Sequence, residues 1–318
     1  MGAYIIRRIL QMILILVLVT VLVFVMVRLL PGDPILMFLS AQQESQVTQE
    51  QLDYLRHQVG IDRPMIVQYF DWLGQVVRGN LGKSIVNQNN IIDDVKHRLP
   101  ITFQLGALAF IISVIVGIPI GLIAAVKRGT WLDNVLTAFG NLGICVPSFW
   151  LGILLIYLIS YKLDWLPLYG YVSPTVNILD NIRHIILPVI CLSLAPIATD
   201  IRMTRSSMLE VLRQDYIRTA WSKGLKQQVV IIKHALKNGL IPVITMKGMT
   251  LAAIVGGSVI VETVFSITGM GRLAVEGLFA QDYTIVQACL LISCTVVLCA
   301  NLIVDLSYGW LDPRIRYR

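Results

Sequence analysis

The chain of 318 residues is 56% hydrophobic and only 14% charged, whereas an ordinary soluble domain carries about 25% charged residues. That deficit excludes a simple soluble globular domain and points to lipid. The formal net charge of +7 would raise nucleic acid as a partner in a soluble protein, but here it has first to be tested against membrane orientation.

The first apolar block, Ile9 to Leu30, follows Arg7 and Arg8. It is longer than the hydrophobic region of a signal peptide and no A-x-A cleavage site follows, so it reads as a membrane anchor.

The long polar segment from Pro31 to Pro100 comes next. Leu52, Leu55 and Val59, then Val67, Phe70 and Leu73 after Pro64, recur at helical spacings and predict a small, partly helical cap. Gly82-Lys83-Ser84 resembles the end of a phosphate-binding loop, but the glycine such a loop needs five residues earlier is replaced by Val77, so no nucleotide site is expected.

Five further apolar blocks follow: Ile101 to Val126, Val135 to Tyr161, Ile185 to Thr204, Leu240 to Val264 and Thr284 to Leu306. Each is long enough for a span of about 20 residues. Six spans make the fold all-α and put both termini on one side of the membrane. Prolines at 119, 147, 188, 196 and 242, and the Gly117 and Gly121 pair, read as kinks and close helix packing.

Lys and Arg assign the sides. The face with both termini, the Lys127-Arg128 turn and the stretch Arg202 to Lys237 carries 15 of them, the opposite face 9. The termini are therefore expected in the cytoplasm and Pro31 to Pro100 outside.

Within or at the ends of spans lie Asp200, Lys247, Glu262 and Asp305, costly in hydrocarbon and functional candidates by default. The plainer reading is local pairing, for example of Asp200 with Arg202 or Arg205. The cysteines at 145, 191, 289, 294 and 299 sit in apolar blocks. The last three, five residues apart, turn about 140° from one to the next and share no face. The histidines at 57, 97, 184 and 234 are scattered over both sides. No disulfide framework, metal site or cofactor is expected. Gly269-Met270-Gly271 has no strand before it and reads as an external loop turn rather than a dinucleotide motif.

The most informative stretch is Ser207 to Gly239. Leu209, Leu212, Tyr216 and Ala220 recur at helical spacing while Arg213, Asp215, Arg218 and Lys223 point elsewhere. This gives a short amphipathic helix, and Gly224 can close it in the left-handed conformation. A second helical pattern restarts at Val229, Ile232 and Leu236. A helix, a sharp turn and a helix, rich in basic residues, fits three uses: a DNA-binding motif, poorly compatible with flanks anchored in lipid; a lipid-surface helix; or a docking element for a soluble partner.

Asp215-Tyr216-Ile217-Arg218-Thr219-Ala220-Trp221-Ser222-Lys223-Gly224-Leu225, followed by His234-Ala235-Leu236-Lys237-Asn238, resembles the signature loop of permease subunits of binding-protein-dependent ABC importers. In the family pattern an E-A-A triplet precedes a glycine, and an I-x-L-P group follows. Here the triplet is Arg218, Thr219 and Ala220, the glycine is Gly224, and His234 and Lys237 replace the isoleucine and proline, leaving Ala220, Gly224 and Leu236 in common. This variant is similar to the peptide and nickel permease branch, as are Pro31-Gly32-Asp33-Pro34, Arg202-Met203-Thr204-Arg205-Ser206-Ser207 and Asp312-Pro313-Arg314-Ile315-Arg316.

The resemblance implies a permease of the type I ABC importer fold in the bacterial cytoplasmic (inner) membrane. Residues 1–30 would form an anchor helix, 31–100 an external segment, 101–306 the core permease domain with a cytoplasmic coupling loop at 207–239, and 307–318 a cytoplasmic tail. It further implies a heterodimer with a second similar permease, two ATPase subunits that receive Tyr216, Arg218, Thr219, Ala220, Lys223, Gly224 and Leu236, and an external solute-binding protein. ATP would be hydrolysed on the partners, and the solute would be a di- or oligopeptide, or alternatively nickel or another metal chelate. The rival from another class is a self-contained ion-coupled carrier, for which an internal inverted repeat would speak; none is visible.

Overall fold

The computed structural model describes the backbone of residues 2–29 and 62–311, and the side chains of 5–29, 62–247 and 258–303. Helices dominate, and among the described residues the only β pairing is an isolated bridge between Lys83 and Asn90. The Leu52 to Val59 pattern, the Pro31 to Pro34 motif and the Asp312 to Arg316 motif lie outside the described residues.

In chain order the helices are α1 (Gly2–Leu29), α2 (Met65–Val77) and α3 (Ile91–Val126). Then come α4 (Trp131–Cys145), α5 (Ser148–Lys162, its second half a π-helix) and α6 (Ile178–Val211). After them stand α7 (Asp215–Ser222), α8 (Gln227–Gly239), α9 (Ile241–Val264), α10 (Met270–Phe279) and α11 (Tyr283–Leu311). Among the described residues, four helices are long and apolar enough to cross a bilayer, or up to six spans if each of two bent pairs counts as one.

Every expected span falls on a helix, with three differences. α3 begins at Ile91, so the last ten residues of the expected external segment belong to a spanning helix; Asp93 and Asp94 in its first turn suit the positive end of the helix dipole. α6 is extended at both ends, started by Asn177, whose side chain accepts from the backbone N–H of Leu179 and Asp180 at 3.0 and 3.2 Å. The block Val135 to Tyr161 is no single rod: α4 and α5 meet at 101°. Pro147 disfavours the helical backbone in the residue before it, and Val146 is extended at φ −76° and ψ 118°.

The chain forms two compact units. The first comprises residues 1–102 and 268–302. Its core joins Ile91 and Val95 of α3 to Met270 and Leu273 of α10 and to Ile285, Ala288 and Cys289 of α11. Here Gly82-Lys83-Ser84 has a structural use. Gly82 turns the chain at φ +85°, and the Ser84 hydroxyl donates to the buried Asp282 carboxylate at 2.5 Å. Asp282 also accepts from the backbone N–H of Ile285 at 3.2 Å, capping α11. Gly269-Met270-Gly271, expected as a loop turn, starts α10 instead, with the Met270 N–H donating to Thr102 Oγ1 at 2.8 Å.

The second unit comprises residues 103–267 together with 303–318. α6 is its axis, packed by α4, α5, α8 and α9. A Cβ on Gly117 would lie 2.6 Å from Asp200 Cβ, and one on Gly121 2.7 Å from the Ile201 carbonyl oxygen. The two glycines therefore let α3 lie directly on α6, as small residues four apart do between membrane helices.

Candidate functional site

α7 follows an extended Gln214, and its first turn carries Asp215, favourable at a helix N-terminus. It ends as the sequence predicts: Lys223 N–H bonds the Thr219 carbonyl at 3.1 Å, Gly224 N–H bonds that of Trp221 at 2.9 Å, and Gly224 stands at φ +73°. An added Cβ would meet no neighbouring atom within 4 Å, so the strain of a side chain there comes from the left-handed backbone alone.

The face that α7 buries differs from the expected one. Ile217 and Ala220 are its buried residues, packed with Ala125 of α3, Met208 of α6 and Val230, Ile231 and Ala235 of α8. Leu209 belongs to α6 and Leu212 to the turn that follows, so the periodicity through Leu209, Leu212, Tyr216 and Ala220 crosses a helix break. Tyr216 is exposed, and its hydroxyl accepts from Asn238 Nδ2 at 2.8 Å.

The second helix is also out of the expected phase. Val230–Ala235 is a π-helix, which buries Val230, Ile231 and Ala235 and leaves Val229 and Ile232 exposed. Bonding from i to i+5 widens the turn and shifts the inward face off the 3.6-residue period.

Of the residues expected to meet a partner, Tyr216, Arg218, Thr219, Lys223 and Gly224 lie on the open side of α7, Ala220 is buried beneath it, and Leu236 is half-buried on α8. The open side also presents Trp221 and Leu225, aromatic and apolar contacts of the kind enriched where proteins dock. Sequence reasoning overlooked Ile217, the anchor of the helix; its signal was the three-residue step to Ala220.

Two charged links stand behind this surface. Arg205 of α6 forks onto Asp133 at the start of α4, with Nε 2.6 Å from Oδ1 and a terminal nitrogen 2.9 Å from Oδ2, a bidentate geometry lysine cannot copy. Buried Asp133 also accepts from Gly129 N–H at 3.0 Å and from the Thr137 hydroxyl at 3.2 Å. Ser207, two residues further along α6, donates to the Gly239 carbonyl at 2.7 Å and fastens the end of α8; a Cβ on Gly239 would collide with Met208.

Deeper in the same unit, Lys247 of α9 pairs with Asp200 of α6, donates to Ser113 of α3 at 2.6 Å and lies over the Phe110 ring at 5.2 Å. This replaces the expected pairing of Asp200 with Arg202 or Arg205. Glu262 is buried, and the side chain of Asp305 lies outside the described residues. In the loop between α5 and α6, Tyr171 donates to Gln104 at 2.7 Å. Burial holds its phenol above the usual range, against a weaker lowering by Asn181, so it remains a neutral donor.

Residues 117–317 match the family described as "Binding-protein-dependent transport system inner membrane component", and residues 1–106 match the corresponding N-terminal family. The chain is 39% identical over 320 residues to the oligopeptide transport system permease protein AppB of Bacillus subtilis (strain 168), covering all of both chains. It is 37% identical over 341 residues, again covering all of both, to the dipeptide transport system permease protein DppB of Escherichia coli (strain K12). Among solved structures, an inward-facing conformation of the MetNI methionine ABC transporter superposes with a TM-score of 0.58 at 16% identity, over 69% of this chain and 96% of that one. The chain therefore belongs to the inner membrane components of binding-protein-dependent transport systems, multi-pass permease subunits that work with ATPase and solute-binding partners.

Proposed function

We propose that this protein is one of two different permease subunits of a bacterial peptide importer. Both its termini face the cytoplasm, and the open side of α7 is the seat of an ATPase subunit. The observation that carries the coupling role is the two-sidedness of α7: Ile217 and Ala220 lock one face to α3, α6 and α8, while Tyr216, Trp221 and Lys223 are exposed beside the left-handed Gly224. A partner that pushes on the open side moves a helix packed on Met208 of α6 and on α8, whose end Ser207 fastens to α6. From α6 the push reaches α4 through Arg205 and α9 through Asp200.

Peptides as the solute are supported by the full-length likeness to peptide permeases of Bacillus subtilis and Escherichia coli. The excess of basic residues on the face of α7, 15 against 9, supports the orientation. On this reading a partner copy of similar fold completes the pathway, two ATPase subunits supply energy, and an external binding protein delivers the peptide. Membership of a binding-protein-dependent family sets aside the self-contained carrier.

Gly224→Val tests the coupling role. A β-branched side chain in a left-handed backbone costs about 1 to 3 kcal/mol, which is small against the packing of the spans but large for one docked turn. The variant should insert normally and lose ATP-driven peptide uptake in reconstituted vesicles, with weaker retention of the ATPase subunits. Normal uptake with normal retention would remove the coupling role from this turn.

A further inference from the structure

α2 has three faces. Tyr69 and Trp72 pack on α1: the Tyr69 hydroxyl lies 2.9 Å from Thr20 Oγ1, and the Phe24 ring lies 5.6 Å from Tyr69 and 5.8 Å from Trp72. Asp71 and Gln75 form a polar face, where Asp71 pairs with Arg63 at 3.2 Å. The third face is a stripe of Ile66, Phe70, Leu73 and Val77, spaced four, three and four residues apart on one side of the helix. Ile66 is 71% exposed, Phe70 63% and Val77 79%.

The depth of this stripe can be read from α1. Between Arg8 and Arg28 lie twenty residues of rise, about 30 Å, which is the thickness of the hydrocarbon core. Arg28 folds back over the Phe24 ring at 5.3 Å, as a basic residue does when it marks the edge of the apolar zone. Phe24 is one turn inside that edge and Thr20 two turns inside. α2 is therefore held beside the lipid-facing part of α1, where Val21, Leu22, Val25 and Met26 are themselves exposed.

We propose that α2 is an interfacial helix, embedded in the leaflet at the C-terminal end of α1, with Ile66, Phe70 and Val77 against acyl chains and Asp71 and Gln75 toward the headgroups and water. An apolar stripe beside a polar face suits that position, and the stripe continues the lipid-facing surface of α1. The external identity of the leaflet rests on the orientation proposed above; the depth of α2 does not.

The test uses the complete transporter, with native cysteines replaced, in vesicles of phosphatidylethanolamine and phosphatidylglycerol. Nitroxide labels are placed singly at residues 66, 70, 77, 71 and 75, and collision rates are measured with oxygen, which concentrates in lipid, and with a water-soluble nickel chelate. The first three should collide several-fold more with oxygen relative to nickel than residues 71 and 75. Preferential collision of the first three with the nickel chelate would make α2 part of an aqueous cap and overturn the proposal. So would protection of these three from both reagents, which would mean that a protein partner covers the stripe. The leaflet is read separately, from an impermeant thiol reagent applied to the Gln75→Cys variant in intact vesicles of known orientation. Reaction from the cytoplasmic side alone would overturn the orientation proposed above and leave the depth result standing.

Discussion

The second unit carries charge in two contrasting ways. Arg218 and Asp215 on α7 are 3.6 Å apart with side chains 71% and 97% exposed, whereas Lys247 and Asp200 pair with side chains 7% and 1% exposed. Water screens the first pair, which leaves its charges available to a partner. The second pair has no solvent to compensate it, and its geometry is held by Ser113 and Phe110. Charged residues of this unit thus divide by depth: at the surface they stay in water, and inside they join helices.

The sharpest way to break that division is Lys247→Met. It leaves the Asp200 carboxylate buried without its cation, a change that costs about 3 to 5 kcal/mol when a buried pair is broken. The purified complex should lose thermal stability. Adding Asp200→Leu to the same chain should recover most of the loss, because removing both charges also removes the uncompensated one. A single variant as stable as the original would mean that the pair does not join α6 to α9.

Next in size is Ile217→Ala. Emptying a buried isoleucine site costs about 2 to 5 kcal/mol, and here the loss falls on one eight-residue helix. The expected outcome is faster tryptic cleavage beside Arg218 and Lys223 in inverted membrane vesicles, with uptake reduced and the spans intact. Cleavage at the original rate would show that α7 does not depend on this anchor.

Arg205→Lys lies in the middle. It keeps the charge but loses the two-pronged contact with Asp133, and one charge-assisted hydrogen bond is worth about 1.5 to 3 kcal/mol. A modest fall in melting temperature is expected, with a larger fall in uptake if the α6–α4 link transmits movement. An unchanged variant would show that a point charge suffices there.

The smallest effect belongs to Arg218→Ala. An exposed ion pair contributes about 0.2 to 1 kcal/mol, so stability should scarcely change. The retention of ATPase subunits should weaken at low salt and lose part of its salt sensitivity, since a rim charge acts mainly through an attraction that salt screens. A clear stability loss would place Arg218 with the buried charges and blur the contrast.

Much of this was legible in the sequence. Long apolar runs can be satisfied in lipid only by helices, so every span fell on a helix, and the left-handed turn at Gly224 followed from glycine at a helix end. What escaped has physical reasons. Pro147 announced a kink, but the 101° turn between α4 and α5 depends on packing against distant helices. The buried phase of α8 escaped because a π-helix does not keep the 3.6-residue period. The partners of Asp200 and Arg205 lie in other helices, at Lys247, Ser113 and Asp133, and proximity in sequence pointed to the wrong pairs.

The central claim is that the open side of α7 receives an ATPase subunit, and two exposed tryptophans of the second unit give the most direct test. Trp221 lies on α7, and Trp165 lies in the loop after α5. A photo-activated benzoylphenylalanine should replace each in turn, within the complete transporter in membranes. The account predicts a crosslink from position 221 to an ATPase subunit, changed in yield by ATP, and none from position 165. Crosslinks from position 221 to lipid alone, with the ATPase subunits present and active, would contradict it.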